Sequence, residues 1–132
     1  MKENYKYRLW HLLEKSGWLV IPVPASGGGR RGVHRPDIIL GNNGVVFVAE
    51  VKNAKLPIYL SFMKDIQPVL DYSRVLRAQP ILIVKRKYDS EWLVFHLDDL
   101  EKCSENSYVV NHRNISKGIS LERFLKNVST DF

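Results

Sequence analysis

The sequence is poor in cysteine and contains no long apolar run. Cys103 is the only cysteine, so no intrachain disulfide can form and no Cys-x-x-Cys metal motif is present. No apolar run approaches the roughly 18 residues of a membrane-spanning helix. The first eight residues, Met-Lys-Glu-Asn-Tyr-Lys-Tyr-Arg, lack the apolar core of a signal peptide. These absences predict a cytoplasmic protein without a membrane partner.

Motifs for bound small molecules are also missing. The glycines at 27–29 do not form the G-x-x-x-x-G-K-[ST] pattern of a nucleotide-binding P-loop, and no dinucleotide-binding motif occurs. His11, His96 and His112 have no metal-ligand spacing, so we expect them to be structural or exposed. No small-molecule cofactor is predicted.

The charge of the chain favours an anionic partner. Its 20 Lys and Arg against 14 Asp and Glu leave a net charge of +6, which is typical of proteins that bind nucleic acid, although a soluble protein can also simply be basic. With 132 residues, 45% of them hydrophobic, the chain is long and apolar enough for one core. We therefore expect a single domain, 1–132, that associates with the nucleoid if its partner is DNA.

The residue pattern predicts the element order α-β-β-β-α-β-β-α, which indicates an α/β fold with a mixed sheet flanked by helices. Apolar spacing of three and four residues marks the helices, and short apolar runs mark the strands. The predicted elements are a helix at 2–16, an extended edge segment at 18–23, a loop at 25–35, a strand at 37–40, a hairpin turn at 41–44, a strand at 45–51, a helix at 61–76 that is kinked or starts late at Pro68, strands at 80–84 and 92–96 joined by a basic turn at 85–90, and a helix at 121–128 capped by Ser120.

The candidate catalytic residues are Asp37, Glu50 and Lys52. Side chains alternate along a strand, so Glu50 and Lys52 share one face, and the hairpin brings Asp37 close to them. An exposed Glu-x-Lys on an edge strand is the common alternative. Here the motif follows the apolar run at 45–49, and a buried carboxylate is costly unless it is paired or binds an ion. Two carboxylates suit Mg²⁺, while Lys52 would stabilise charge on the reacting phosphate.

The motifs Pro-Ala-Ser-Gly (24–27), Pro-Asp-Ile-Ile (36–39) and Glu-Val-Lys (50–52), with the basic glycine loop between the first two, closely resemble the archaeal Holliday junction resolvases. These belong to the PD-(D/E)xK nuclease superfamily, and the likeness runs nearly end to end. The resemblance implies a restriction-endonuclease-like fold, with Asp37 and Glu50 as ligands of Mg²⁺, for which Mn²⁺ can substitute. It also implies that Lys52 is catalytic, that Ser26 lies near the scissile phosphate, and that a homodimer cuts four-way DNA junctions.

The sequence departs from this family on the first helix. The family usually carries a glutamate eleven residues before the glycine that ends this helix, and eleven residues before Gly17 is Lys6. Glu3 is the nearest acid, about one turn away. Lys6 would oppose metal binding or replace part of the metal's charge. Three functions stay open: an active resolvase, a catalytically weak or inactive junction-binding paralogue, and a related nuclease acting on other branched or duplex DNA.

Two basic segments are candidate DNA contacts. Arg30, Arg31, His34 and Arg35 lie in the glycine-rich loop before Asp37, where a backbone with few side chains can approach phosphates closely. Lys85, Arg86 and Lys87 form the second segment, for which an ordinary charged turn is an equal alternative. Contacts of this kind do not depend on base sequence and weaken with salt, which suits recognition of DNA by shape.

Overall fold

The computed structural model describes residues 4–24 and 33–130. Ser26, Arg30, Arg31 and Glu3, which the sequence analysis proposes as functional, lie outside the described residues. The elements in order are α1 (Asn4–Lys15), β1 (Leu19–Pro22), β2 (Ile38–Asn42), β3 (Val45–Ala54), β4 (Ile58–Ser61), a π-helical turn (Phe62–Ile66), α2 (Gln67–Leu76), β5 (Gln79–Arg86), β6 (Trp92–His96), β7 (Glu101–Ser104), β8 (Ser107–Val110), β9 (Ile119–Ser120) and α3 (Leu121–Thr130), with short 3-10 turns at Leu97–Asp99 and Ile115–Lys117.

A six-stranded sheet in the order β1-β2-β3-β5-β6-β9 forms the centre of the molecule. Its β3 and β5 run parallel and are joined by a crossover that includes α2, whereas the other neighbouring pairs are antiparallel. The α/β class with a mixed central sheet flanked by helices is therefore confirmed. Within the described ranges, no helix has both the length and the apolar character needed to cross a membrane.

The hairpin between β2 and β3 fixes the register that matters for function. Asn43 and Gly44 have φ values of +52° and +79°, the left-handed pair that a tight two-residue hairpin turn requires. Asn42 consequently pairs with Val45 and Ile38 pairs with Ala49. This register carries Asp37, the residue before Ile38, to the level of Glu50.

Helices cover the two faces of the sheet differently. Leu9 and Leu13 of α1, four residues apart, are fully buried in one core that also includes Phe124 of α3 and the tryptophans at 18 and 92. The second core lies on the opposite face, where Ile66 meets Leu82 and Val84 of β5.

Gly17, at φ +89°, ends the turn after α1 as predicted. Ser120 Oγ accepts a hydrogen bond from the Arg123 amide at 3.2 Å, which confirms it as the cap of α3.

Several elements differ from the sequence prediction. Strands β4, β7 and β8 form a second sheet, in the order β4-β8-β7, which the sequence analysis did not predict. Its strands are only four residues long, too short for a clear alternating pattern. The predicted helix at 61–76 begins as a π-helical turn, and α2 itself starts at Gln67, which confirms the late start at Pro68.

The sequence analysis predicted a basic turn at 85–90, and the predicted start of this turn is wrong. Lys85 and Arg86 belong to β5, because they continue its parallel pairing with Asn53 and Ala54. The chain turns only after Arg86, through Lys87 and Tyr88.

Gly118→Ala is expected to destabilise the fold by about 1–3 kcal/mol. A Cβ atom at this position would lie 2.6 Å from Cζ and 2.8 Å from Cε1 of Phe95, whose side chain is fully buried and cannot move aside freely. Thermal unfolding would show the loss as a lower melting temperature. Gly41→Ala, whose added Cβ would meet the Val45 carbonyl oxygen at 3.1 Å, is a milder comparison. An unchanged melting temperature in Gly118→Ala would contradict the assigned contact.

Candidate active site

Asp37 lies directly before β2, and backbone hydrogen bonds hold it in place. Its amide N–H donates to the Ala49 carbonyl at 3.1 Å, and its own carbonyl accepts from the Val23 amide at 2.9 Å. The side chain is buried, and Oδ2 accepts a hydrogen bond from the Val51 amide at 2.8 Å. The backbone of β3 therefore fixes the carboxylate, and Oδ1 is the oxygen that faces the other charged groups.

Glu50 is a buried acid in an unfavourable electrostatic environment. It lies on β3 beside Leu82 of β5, and only 7% of the residue is exposed. Burial, followed by the charge of Asp37, raises the pKa of Glu50 from 4.5 to about 9, although Lys52 acts in the opposite direction. Without a bound cation, this carboxyl group is therefore expected to hold a proton at neutral pH.

Lys52 is positioned between two carboxylates. Its Nζ lies 3.7 Å from Glu50 Oε2 and 3.0 Å from Asp65 Oδ1. Burial lowers the pKa of Lys52, but the hydrogen bond and the charge of Asp65 outweigh that effect, and the pKa stands above its ordinary value. Lys52 is therefore an ammonium ion at neutral pH, which suits stabilisation of negative charge and does not suit a general base.

Asp65 is a member of this cluster that the sequence analysis missed. It lies in the π-helical turn before α2, and its Oδ2 accepts the Ser61 amide at 2.8 Å while Oδ1 contacts Lys52. The only local signal was Ser61 followed four residues later by an acid, a weak capping pattern. Nothing in that spacing indicates contact with Lys52, thirteen positions earlier in the chain.

Lys6 reaches the same cluster from α1. Its Nζ donates to Asp37 Oδ1 at 3.2 Å, so the helix position at which the family resemblance implies a glutamate does face the site. The described cluster contains the three carboxyl groups of Asp37, Glu50 and Asp65, together with the ammonium groups of Lys6 and Lys52. These positive charges offset much of the negative charge that would otherwise attract a metal ion.

A cavity of about 300 Å³ opens onto these side chains, and its walls include Tyr5, His34 and Lys64. Of the proposed DNA contacts in the described residues, His34 therefore lies at the site, whereas Arg35 is not among the residues that line the cavity. Lys85, Arg86 and Lys87 do not line the cavity; they lie at the end of β5 and beyond it. A larger cavity, about 520 Å³, lies elsewhere, between α1 and α3, and none of the proposed catalytic residues lines it.

The donor set is compatible with one hard divalent cation. No group of three His, Cys, Asp or Glu side chains among the described residues is already arranged around a common point. Asp37 and Glu50 nevertheless supply carboxylate oxygens, and Mg²⁺ often binds to one or two carboxylates and completes its shell with water and phosphate. A cation here would also stabilise the ionised form of Glu50, whose burial outweighs the effect of the nearby Lys52. The two residues would be its protein ligands.

Asp65→Asn is expected to slow phosphodiester cleavage about tenfold or more, because Lys52 would lose the partner that positions it. The alkaline limb of the pH–rate profile should also move to lower pH, because removal of the Asp65 charge lowers the pKa of Lys52. Single-turnover rates between pH 6 and 10 would measure both effects. Asp71→Asn, which removes an exposed aspartate of α2 paired with Arg74, is the matched control. An unchanged rate and profile would show that Asp65 has no positioning role.

The fold and the cluster together define a class of protein. Asp37 lies just before β2, and Glu50 and Lys52 lie on β3. These residues reproduce the Pro-Asp…Glu-x-Lys arrangement of the PD-(D/E)xK nucleases, a class that generally uses a divalent metal ion.

Comparison with known proteins then identifies the family. A family model for archaeal Holliday junction resolvase (Hjc) matches residues 3–131. Crossover junction endodeoxyribonuclease Hjc of Sulfolobus acidocaldarius is 26% identical over 117 residues, covering 88% of this chain and 80% of the relative. The Methanocaldococcus jannaschii protein of the same name is 28% identical over 110 residues, covering 83% and 75%. This chain belongs to the archaeal Holliday junction resolvase family, and hence to the endonucleases.

A solved structure supports the fold independently. Hjc from Archaeoglobus fulgidus, a Holliday junction resolvase, matches with a TM-score of 0.77 over 93% of both chains, at 23% sequence identity. The restriction-endonuclease-like fold expected from the resemblance is thereby confirmed.

Proposed function

We propose that this protein is a Mg²⁺-dependent endonuclease that binds four-way DNA junctions and hydrolyses phosphodiester bonds. The observation that carries the proposal is the cluster of Lys52 with the buried Asp37 and Glu50 beside an open cavity, in a chain of the resolvase family. Mn²⁺ is expected to replace Mg²⁺, because both accept carboxylate oxygens.

The geometry supports the roles proposed below for Asp37, Glu50 and Lys52, and the role proposed for Ser26 rests on the family resemblance alone. Asp37 and Glu50 would hold the cation, which when bound polarises the scissile phosphate and lowers the pKa of a coordinated water. Lys52 faces the same cavity as an ammonium ion and would stabilise the negative charge that develops on the phosphate oxygens. The hydrogen bond from Val51 to Asp37 keeps the carboxylate oriented before substrate arrives. Ser26 would contact the phosphate near the cut.

We propose a DNA-contacting surface that includes His34, which lines this cavity. Arg35 follows His34 in the chain, and Arg30 and Arg31 precede it; all three would contribute further phosphate contacts. Lys85, Arg86 and Lys87 would contact a more distant phosphate path. If these contacts are mainly electrostatic, the affinity for DNA should fall steeply with salt. Action on chromosomal DNA would place the protein in the cytoplasm, in association with the nucleoid.

A homodimer would match the two-fold symmetry of a four-way junction. An apolar face that could form the interface lies beside α2: Leu19 and Ile21 of β1 are 67% and 48% exposed, and Val46 of β3 is 37% exposed. The strand register places Leu19 and Val46 in one row across the sheet, on either side of Gly41.

Ile21→Asp is expected to convert a dimer into monomers, because it places a charge on this apolar face. Light scattering measures the mass in solution, and retention of the wild-type mass would exclude this face as the interface.

The deciding experiment incubates the protein with a labelled four-way junction, with and without Mg²⁺, and includes Glu50→Ala. Native gels report binding and denaturing gels report cuts. Paired symmetric nicks that require Mg²⁺ and Glu50 would establish a working resolvase. If the protein bound the junction tightly but did not cut it, the proposed nuclease activity would be contradicted.

Two alternatives compete with this proposal, and only the first is favoured by a specific contact. The contact between Lys6 and Asp37 favours a weak or inactive junction-binding paralogue, because an ammonium ion already neutralises the proposed ligand. The third possibility, a nuclease for other branched or duplex DNA, depends on the chain's general positive charge. Competition between a four-way junction and linear duplex distinguishes it: equal cleavage of both would remove the junction from the proposal.

A further inference from the structure

Tyr88 is an exposed aromatic residue in an unfavourable backbone conformation. It lies in the turn after β5, 83% of it is accessible to solvent, and its φ is +72°. A bulky residue rarely adopts positive φ, because its Cβ approaches the following carbonyl oxygen. Glycine or asparagine would take the same turn at lower conformational cost. The fold alone therefore does not account for a tyrosine at this position.

The turn that presents Tyr88 is held on both sides. The Lys87 amide donates to the Ala54 carbonyl at 3.0 Å, and the Asp89 amide donates to the Arg86 carbonyl at 2.9 Å. The Asp89 carboxylate accepts from Arg86 Nη2 at 2.7 Å and from the Glu91 amide at 3.1 Å. These bonds fix the backbone and leave the Tyr88 ring projecting into solvent.

Two lysines flank the ring. Nζ of Lys55 is 5.4 Å from the ring centroid of Tyr88, and Nζ of Lys87 is 5.5 Å from it. The lysines come from different parts of the chain, and the pairing of Ala54 with Arg86 brings them together. Ammonium groups beside an exposed aromatic face are the combination with which proteins bind single-stranded nucleic acid: the ring stacks on a base and the charges contact adjacent phosphates.

This cluster lies at the same end of the sheet as the candidate active site. Lys52 pairs with Val84 across β3 and β5, and Arg86 follows Val84 by two residues, or about 7 Å along the strand. Tyr88 is just beyond. A DNA strand that entered the active-site cavity could therefore reach Tyr88 within a few nucleotides.

We propose that Tyr88, Lys55 and Lys87 form a binding site for an unstacked base of branched DNA and its neighbouring phosphates. The inference rests on the proposed function only in taking DNA as the ligand. The site would add to the affinity for branched or single-stranded DNA, whose bases can leave the stack, and would add little on intact duplex. A ring that merely supported the two lysine side chains would not favour one kind of DNA over another.

Three substitutions test the site without metal, so that cleavage does not interfere. Tyr88→Phe keeps the ring, Tyr88→Leu keeps the bulk and the backbone strain, and Tyr88→Asn relieves the strain but removes the ring. Affinities are measured for a four-way junction carrying 2-aminopurine beside the branch point, for a single strand and for a duplex. Stacking on an aromatic ring predicts a loss of about 5- to 100-fold for Leu and Asn on the junction and single strand, with Phe unchanged and duplex affinity within about twofold.

Fluorescence and stability complete the test. In the wild type, stacking on Tyr88 should quench the 2-aminopurine signal, and Tyr88→Asn should lose the quenching while keeping or raising the melting temperature. Wild-type affinity of Tyr88→Asn for the junction and single strand would overturn the inference, as would an equal loss on duplex. A wild type that does not prefer the junction would count against the proposed function alone, because the single-strand arm still reports stacking on Tyr88.

Discussion

Glu50→Gln is expected to abolish metal-dependent cleavage and, in the absence of metal, to make the folded protein more stable at pH 8. The two effects have one cause. Burial and the charge of Asp37 raise the pKa of Glu50 from 4.5 to about 9, so the folded state binds this proton more tightly than the unfolded chain does. The free energy of unfolding therefore falls as pH rises from about 4.5 to about 9, and a neutral amide removes that loss.

We expect the gain for Glu50→Gln to be about 1–3 kcal/mol at pH 8 and to approach zero near pH 5. Urea unfolding at several pH values, with a chelator present, measures it. Mg²⁺ should then stabilise the wild type at pH 8 and leave the variant unchanged, because the variant has lost a ligand.

Glu101→Gln is a matched control with the opposite sign. The hydrogen bonds of Arg113 and Asn111 lower the pKa of Glu101, so any stability it provides is present above its ordinary pKa and lost in acid. Its amide variant should gain no stability at pH 8. If Glu50→Gln were less stable than the wild type at pH 8 without metal, the electrostatic environment assigned to Glu50 would be wrong.

Lys6→Glu is expected to tighten Mn²⁺ binding at least tenfold, which corresponds to about 1.4 kcal/mol, and to increase the rate of cleavage. Nζ of Lys6 lies 3.2 Å from Asp37 Oδ1, and the other oxygen of Asp37 is occupied by the Val51 amide. A divalent cation must therefore compete with an ammonium ion for Oδ1 of Asp37. Glutamate removes that competitor and adds a carboxylate that could reach the cation.

Isothermal titration with Mn²⁺ measures the affinity directly, and Lys64→Glu separates contact from general charge. Lys64 lines the same cavity, yet among the ion pairs of the described residues none joins Lys64 to Asp37 or Glu50. The same change of charge at Lys64 should improve Mn²⁺ affinity much less. Equal effects in the two variants would show that net charge alone, and not the contact with Asp37, limits metal binding.

A metal-free comparison is also informative. Lys6→Glu places a carboxylate against that of Asp37, so the variant should be less stable than the wild type with a chelator and recover on addition of Mn²⁺. If Lys6→Glu did not bind Mn²⁺ more tightly than the wild type, the Lys6 side chain would move aside without cost. The presence of lysine where the family usually has glutamate would then not weaken metal binding.

The sequence by itself determined the elements that depend on neighbouring residues. The turn at Asn43 and Gly44 follows from their tolerance of positive φ, and the turn sets the register that brings Asp37 level with Glu50. The alternation of side chains along β3 places Glu50 and Lys52 on one face. Apolar spacing predicted the three helices, and the Pro-Ala-Ser-Gly, Pro-Asp-Ile-Ile and Glu-Val-Lys motifs, together with the basic glycine loop, indicated the resolvase family.

Only the tertiary structure decided what surrounds those residues. Lys6 meets Asp37 across 31 positions of sequence, Asp65 meets Lys52 through an irregular helical turn, and the parallel pairing of β3 with β5 brings Lys55 to Tyr88. The raised pKa of Glu50 likewise depends on how deeply β3 is covered. The local sequence determines the propensities and periodicity of helices and strands. Ion pairs, burial and pKa values depend instead on distances between segments that are far apart in sequence and come together only in the folded protein.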